Sequence, residues 1–132
     1  MSEVFIGIDV GQSHHHVAVV DNRGWMTSHG VPASGCDAAS IVALLRDLKP
    51  VCVAIDAPRE PAPAGTMSRP CERDVQRTVG CRIFPTPSAD RLAGHWGEGW
   101  TRAGFALFTA LGALPDLQLA EVFPTASRTI WA

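Results

Sequence analysis

Two short apolar runs in this chain end alike. Val4-Phe5-Ile6-Gly7-Ile8 stops at Asp9-Val10-Gly11, and Val51-Cys52-Val53-Ala54-Ile55 stops at Asp56-Ala57-Pro58. Continuous apolar runs of this length, bounded by turn residues, predict strands buried on both faces. Between them, Asp37 to Lys49 sets Ile41, Leu44, Leu45 and Leu48 at i, i+3, i+4 and i+7, with Ser34 or Asp37 as N-cap and Pro50 as terminator. That spacing predicts an amphipathic helix. Strand, helix and strand make a crossover, which sets the second strand parallel to an earlier one. The chain is thereby placed in the α/β class.

The remaining segments extend the sheet. His14 to Val20 is β-prone, and Asp21-Asn22-Arg23-Gly24 supplies a turn before Trp25 to Val31, so the first three strands should form an antiparallel meander. Arg59 to Gly65 reads as a Pro/Ala-rich loop of functional length. A helix is expected from Ser68-Arg69-Pro70 through about Val79, with Gly80 ending it, and no regular structure over Pro85 to Gly99. A further helix is expected over Arg102 to Leu114, with Phe105, Phe108, Leu111 and Leu114 as its core face. A last strand follows over Leu119 to Phe123, and Ser127 to Ala132 starts a helix that has no body. At 132 residues and 46% hydrophobic, residues 1–132 fit one domain with a real core, and a two-lobed enzyme is excluded. No apolar stretch approaches the roughly 20 residues of a membrane span. The N-terminus lacks the basic region of a secretory signal, so a cytoplasmic protein is expected, with Cys36, Cys52, Cys71 and Cys81 reduced and structural.

An acid that terminates an apolar strand is held by a rigid element and still reaches solvent. If the two Asp-ended strands are parallel neighbours, Asp9 and Asp56 lie about 4.8 Å apart. Two fixed carboxylates at that spacing repel unless a cation sits between them, and Mg²⁺ or Mn²⁺ takes one or two protein carboxylates plus phosphate oxygens. That chemistry serves metal-assisted hydrolysis of phosphodiesters. Asp before Gly or Pro at a strand end is also ordinary turn chemistry, and the paired occurrence is what favours a site. Glu121, inside the last apolar strand, is a third candidate, either partnered or on a wet edge.

Three meandering strands, a helix and a parallel fourth strand ending in an acid resemble the RNase H-like fold: a mixed five-stranded sheet flanked by helices. More narrowly, Gly7-Ile8-Asp9, Ala54-Ile55-Asp56-Ala57-Pro58, Arg69-Pro70-Cys71-Glu72-Arg73 and Glu121-Val122-Phe123-Pro124 resemble, in order, the motifs of the domain-of-unknown-function 429 family, predicted RNase H-like nucleases. The resemblance implies a metal-dependent nuclease acting on DNA or RNA. Asp9 and Asp56 would be its leading ligands, Glu121 a further acid, and Arg69 and Arg73 would lie near the site. RNase H-like nucleases generally add an acid from a C-terminal helix, whereas no Asp or Glu follows Glu121 here, and the resembled family has longer members. A C-terminally shortened domain is therefore expected, and a catalytically silent binding or assembly module is the alternative.

Net charge is −2, so nucleic-acid binding needs a local patch. Arg69, Arg73 and Arg77 recur at i, i+4 and i+8, and with Arg59, Arg82 and Arg91 this region holds six of the eleven basic residues. They could meet phosphates or form a solvated, ion-paired helix face. Gln12, Ser13 and His14, in the turn after Asp9, are candidates for contact with substrate phosphate. The His14-His15-His16 run shows no second cluster that would make it a metal site. Trp96 and Trp100 either stack on bases or cover the core. Ile8-Asp9-Val10-Gly11 before a hairpin is also similar to the first phosphate motif of the actin-like ATPase and sugar-kinase superfamily, which closes a nucleotide between two lobes that this length does not provide.

Overall fold

The structure is a computed structural model that describes residues 2–24, 26, 27, 32 and 34–131. Its centre is the pair of Asp-ended strands. β1 (Val4–Asp9) and β4 (Cys52–Asp56) run parallel, with Phe5 opposite Cys52 and Asp9 opposite Asp56. β2 (His16–Asp21) pairs antiparallel with β1 from Val4–Asp21 to Asp9–His16. β5 (Gln118–Glu121) pairs parallel with β4. β3 (Met26–Thr27) adds two residues beyond β2, giving the order β3-β2-β1-β4-β5. Among the described residues the mixed α/β sheet therefore consists of four strands of four to six residues, with the two-residue β3 at its edge. Of the strand expected over 25–31, only Met26–Thr27 is seen to pair, and 25 and 28–31 lie outside the described residues.

The crossover helix α1 (Ala38–Leu48) forms as its spacing dictates. Asp37 Oδ1 caps it by accepting from the Ser40 N–H at 2.8 Å, and Lys49, in the left-handed region at φ 48°, closes it before Pro50. α2 (Pro70–Val79) also matches expectation, ending on left-handed Gly80. The short α3 (Ala89–Leu92) occupies part of the stretch expected to be irregular, because Leu92 is buried there. α4 (Glu98–Gly112) begins a turn earlier than expected. Glu98 fixes that turn by accepting from the Gly94 N–H at 2.8 Å and from Arg102 Nε at 3.0 Å. The core face of α4 holds the expected Phe108 and Leu111 together with Gly104 and Leu107, while Leu114 packs at its margin and Phe105 is only half-buried. β5 stops at Glu121, and Pro124 opens α5 (Pro124–Trp131) earlier than the expected Ser127, since proline suits a first helical position.

α1 and α4 cover one face of the sheet, where Ile41, Leu45, Leu107, Phe108 and Leu111 pack on Ile6, Ile8, Val53 and Ile55. The other face is not buried as the apolar runs predict: Phe5 is 38% exposed, and Cys52 and Ala54 are half-buried. All four cysteines are free, but only Cys36 is buried, and Cys71 is exposed on α2 rather than structural. α4 approaches the end of β4 through Gly104, where an added Cβ would lie 2.7 Å from the Ala57 Cβ and 3.1 Å from the Pro58 carbonyl. Gly104→Ala should therefore cost about 1–3 kcal/mol in urea denaturation, since the rigid Ala57-Pro58 corner cannot yield without moving Asp56. Unchanged stability would show that α4 has room to shift.

Candidate functional site

Asp9 and Asp56 are brought together by register alone. Five residues of β1 pair in register with the five of β4, so their acids end side by side on one face of the sheet. Asp9 is exposed and Asp56 half-buried. Burial pushes the Asp56 carboxyl above the ordinary carboxylate range, and the charges of Asp9 and Glu121 push it further. No described residue donates a hydrogen bond to it. A half-buried acid with two acidic neighbours and no donor is electrostatically incomplete.

Glu121 lies opposite Ile55 on β4, one position short of Asp56, and its charge still reaches Asp56. Its carboxylate is committed: Arg69 Nη1 donates to Oε2 at 2.9 Å, Arg69 Nη2 donates to Oε1, and the Arg59 N–H donates to Oε2 at 3.2 Å. Arg69 is 4% exposed, and its Nε donates to Glu72 Oε1 at 2.9 Å. Glu72, 3% exposed, also accepts from the Arg69 N–H and the Thr86 N–H, both at 2.9 Å, and from the Thr86 hydroxyl. Burial alone would make the Arg69 guanidinium easier to deprotonate, but Glu121 and Glu72 outweigh it and hold the charge more firmly than usual. One buried cation thus links the start of α2 to the end of β5.

A cavity of about 220 Å³ opens beyond the strand ends, lined by Asp56, Arg69, Glu72, Arg82, Trp100 and Glu121 among others. The expected phosphate contacts are distributed differently. Arg69 is spent on carboxylates, so it is no free phosphate ligand. Arg73 Nη1 donates to the Ser68 carbonyl and hydroxyl, each at 2.8 Å, and Arg77 pairs with Asp74 at 2.7 Å, so the three arginines do not form one basic face. Ser13 Oγ and His14 Nδ1 lie 3.0 Å apart on the surface, outside the cavity lining. The Gln12 carboxamide lies against Gly99 of α4. In the histidine run the buried member is His15. Its Nδ1 accepts from the Gly11 N–H at 3.2 Å, and its pKa is lowered, chiefly by burial, which suits an acceptor nitrogen. Among the described residues no group of three or more His, Cys, Asp or Glu is arranged to hold a metal.

Phe84 and Thr86, which carried no sequence signal of a site, border the cavity together with Arg82. Arg82 was visible only as part of a basic region. Phe84 and Thr86 belong to a stretch without periodicity, which the Arg59–Gly65 loop and its sequel pin in place: the Ala62 N–H donates to the Pro87 carbonyl at 3.2 Å, and the Ser88 N–H to the Thr66 carbonyl at 2.9 Å.

A family model described as "Protein of unknown function (DUF429)" matches residues 7–132. No curated protein and no solved structure matches the chain.

Proposed function

The chain belongs to the DUF429 family, whose description carries no activity, and we propose from its own residues a divalent-cation-dependent nuclease that hydrolyses nucleic-acid phosphodiesters at the ends of β1 and β4. The observation that carries this reading is Asp56: half-buried, raised in pKa by burial and by Asp9 and Glu121, without a described donor, and in register with Asp9. Mg²⁺ or Mn²⁺ fits that deficit, since either accepts one or two protein carboxylates and completes its shell with water and phosphate oxygens. Asp9 and Asp56 would hold it. Glu121 does not fit as a ligand, because Arg69 and the Arg59 N–H already occupy both of its oxygens. It acts instead as a positioning residue that raises the negative potential at Asp56 and fixes the corner around it. The cation would supply Lewis-acid polarisation of the phosphodiester and stabilisation of the leaving oxygen. Acids at the ends of two neighbouring parallel strands, in a sheet of this order, also support the RNase H-like assignment.

Binding and cleavage test this reading separately. Mn²⁺ at about 100 times its dissociation constant should add roughly 2.7 kcal/mol of stability, seen as a rise of about 10 °C in melting temperature for a domain of this size. End-labelled DNA and RNA oligonucleotides should be cut with Mn²⁺ and left intact in EDTA. The pairing of Glu121 with Arg69 favours a second reading, a silent RNase H-like module that keeps two acids and lacks the third. Mn²⁺ stabilisation without any cleavage would establish that module, and absence of both would remove the cation site altogether.

A further inference from the structure

Beside the acidic cavity lies a second cleft of about 380 Å³, lined by Gln12, Phe84, Trp96, Gly97, Gly99 and Trp100. Phe84 and Trp100 line both, so the two cavities adjoin. Phe84 is 61% exposed and Trp96 74% exposed, and their rings meet edge to face with centroids 5.5 Å apart. The Arg82 guanidinium sits 5.8 Å from the Phe84 ring centre and forms no ion pair among the described residues. Gln12 brings the cleft a carboxamide, which both donates and accepts. Gly99 makes room for it: a Cβ there would fall 1.9 Å from Gln12 Nε2.

We propose that this cleft holds an unpaired base of a single-stranded nucleic acid, stacked on the face of Trp96 and met edge-on by Phe84, whose ring stands at 70° to it, with Gln12 at the base edge and Arg82 at the adjoining phosphate. Exposed aromatic faces stack on any base, and an uncommitted cation beside them matches the phosphate that follows. The bases of a duplex keep their faces covered, so the cleft selects a single strand. The inference rests on the nuclease reading of the adjoining acids and names the substrate that reading lacks.

The experiment is anisotropy of a labelled oligothymidylate at low salt in EDTA, where binding is read without hydrolysis. The single strand should bind about tenfold or more tighter than a duplex of equal length or free thymidine monophosphate. Phe84→Ala and Trp96→Ala should each raise Kd by about 5- to 150-fold. Both residues are exposed, so circular dichroism should show the fold retained. Gly99→Ala, which displaces Gln12 and leaves the rings alone, should weaken binding roughly 2- to 12-fold. Equal affinity for the duplex or the mononucleotide, or wild-type affinity in both aromatic variants, overturns the proposal. Tight aromatic-dependent binding with no Mn²⁺-dependent cleavage overturns only the nuclease reading.

Discussion

Asp56→Asn should abolish Mn²⁺-dependent cleavage and, in the same protein, raise the melting temperature of the metal-free form at pH 7. The first effect follows from position. Losing an outer-shell partner of a metal ligand costs about 10- to 100-fold, so losing one of two carboxylate ligands should exceed about 100-fold. The second follows from the raised pKa of Asp56, caused by burial and then by Asp9 and Glu121. Well below the carboxylate range the folded and unfolded chains both hold the proton, and Asp56 contributes nothing. As pH rises, the unfolded chain ionises first, so the folded state carries a penalty that is complete above its own raised value. Asn removes that penalty. The stability gain of the variant should therefore be largest near pH 7 and vanish toward pH 3, and Mn²⁺ should stabilise the wild type while leaving the variant unmoved. Thermal denaturation across pH, with and without Mn²⁺, reads all three. A variant less stable than wild type at pH 7 would mean that the Asp56 carboxylate is satisfied by the protein itself, which would remove the reason to place a cation there.

The acid pair was legible because it depends on short-range signals. Two apolar runs of similar length, each closed by Asp, need only a crossover helix between them to be set in parallel register, and α1 carries its own spacing and caps. Burial was less legible. An apolar run does not say how many faces will be covered, and Phe5 remains partly exposed because the helices that pack the core, α1 and α4, share one side. For Glu121 the sequence left a partner and a wet edge equally open. Its partner Arg69 lies 52 residues away, and the pairing exists only because the start of α2 is carried onto the end of β5. The same motif offered Arg69 as a phosphate contact, since a guanidinium suits phosphate and carboxylate equally and sequence spacing does not choose between them. Gln12 followed the same pattern: offered as a phosphate contact beside Asp9, it lies against Gly99 of α4 through tertiary packing.

Arg69→Met should be the most destabilising single substitution in the site. The guanidinium is buried, and it is the cation shared by Glu72 and Glu121, which are themselves buried and half-buried. Removing one member of a buried pair leaves uncompensated charge and costs about 3–5 kcal/mol, or roughly 10–20 °C in melting temperature at this chain length. The loss is electrostatic more than steric, because Met fills much of the volume of the arginine stem. It should therefore shrink as pH falls toward about 4, where carboxyls stripped of their cation take up protons and the penalty disappears with their charge. Adding Glu121→Gln to Arg69→Met should restore part of the stability at pH 7, since one of the two stranded charges is gone. Arg69→Lys should recover less than charge alone suggests, because an ammonium cannot reproduce the fork that reaches both carboxylates. Urea denaturation of the four proteins at pH 7 and pH 4 separates these contributions. A loss independent of pH and unrelieved by Glu121→Gln would assign Arg69 to packing, and Glu121 would then be free to join Asp9 and Asp56 as a third acid.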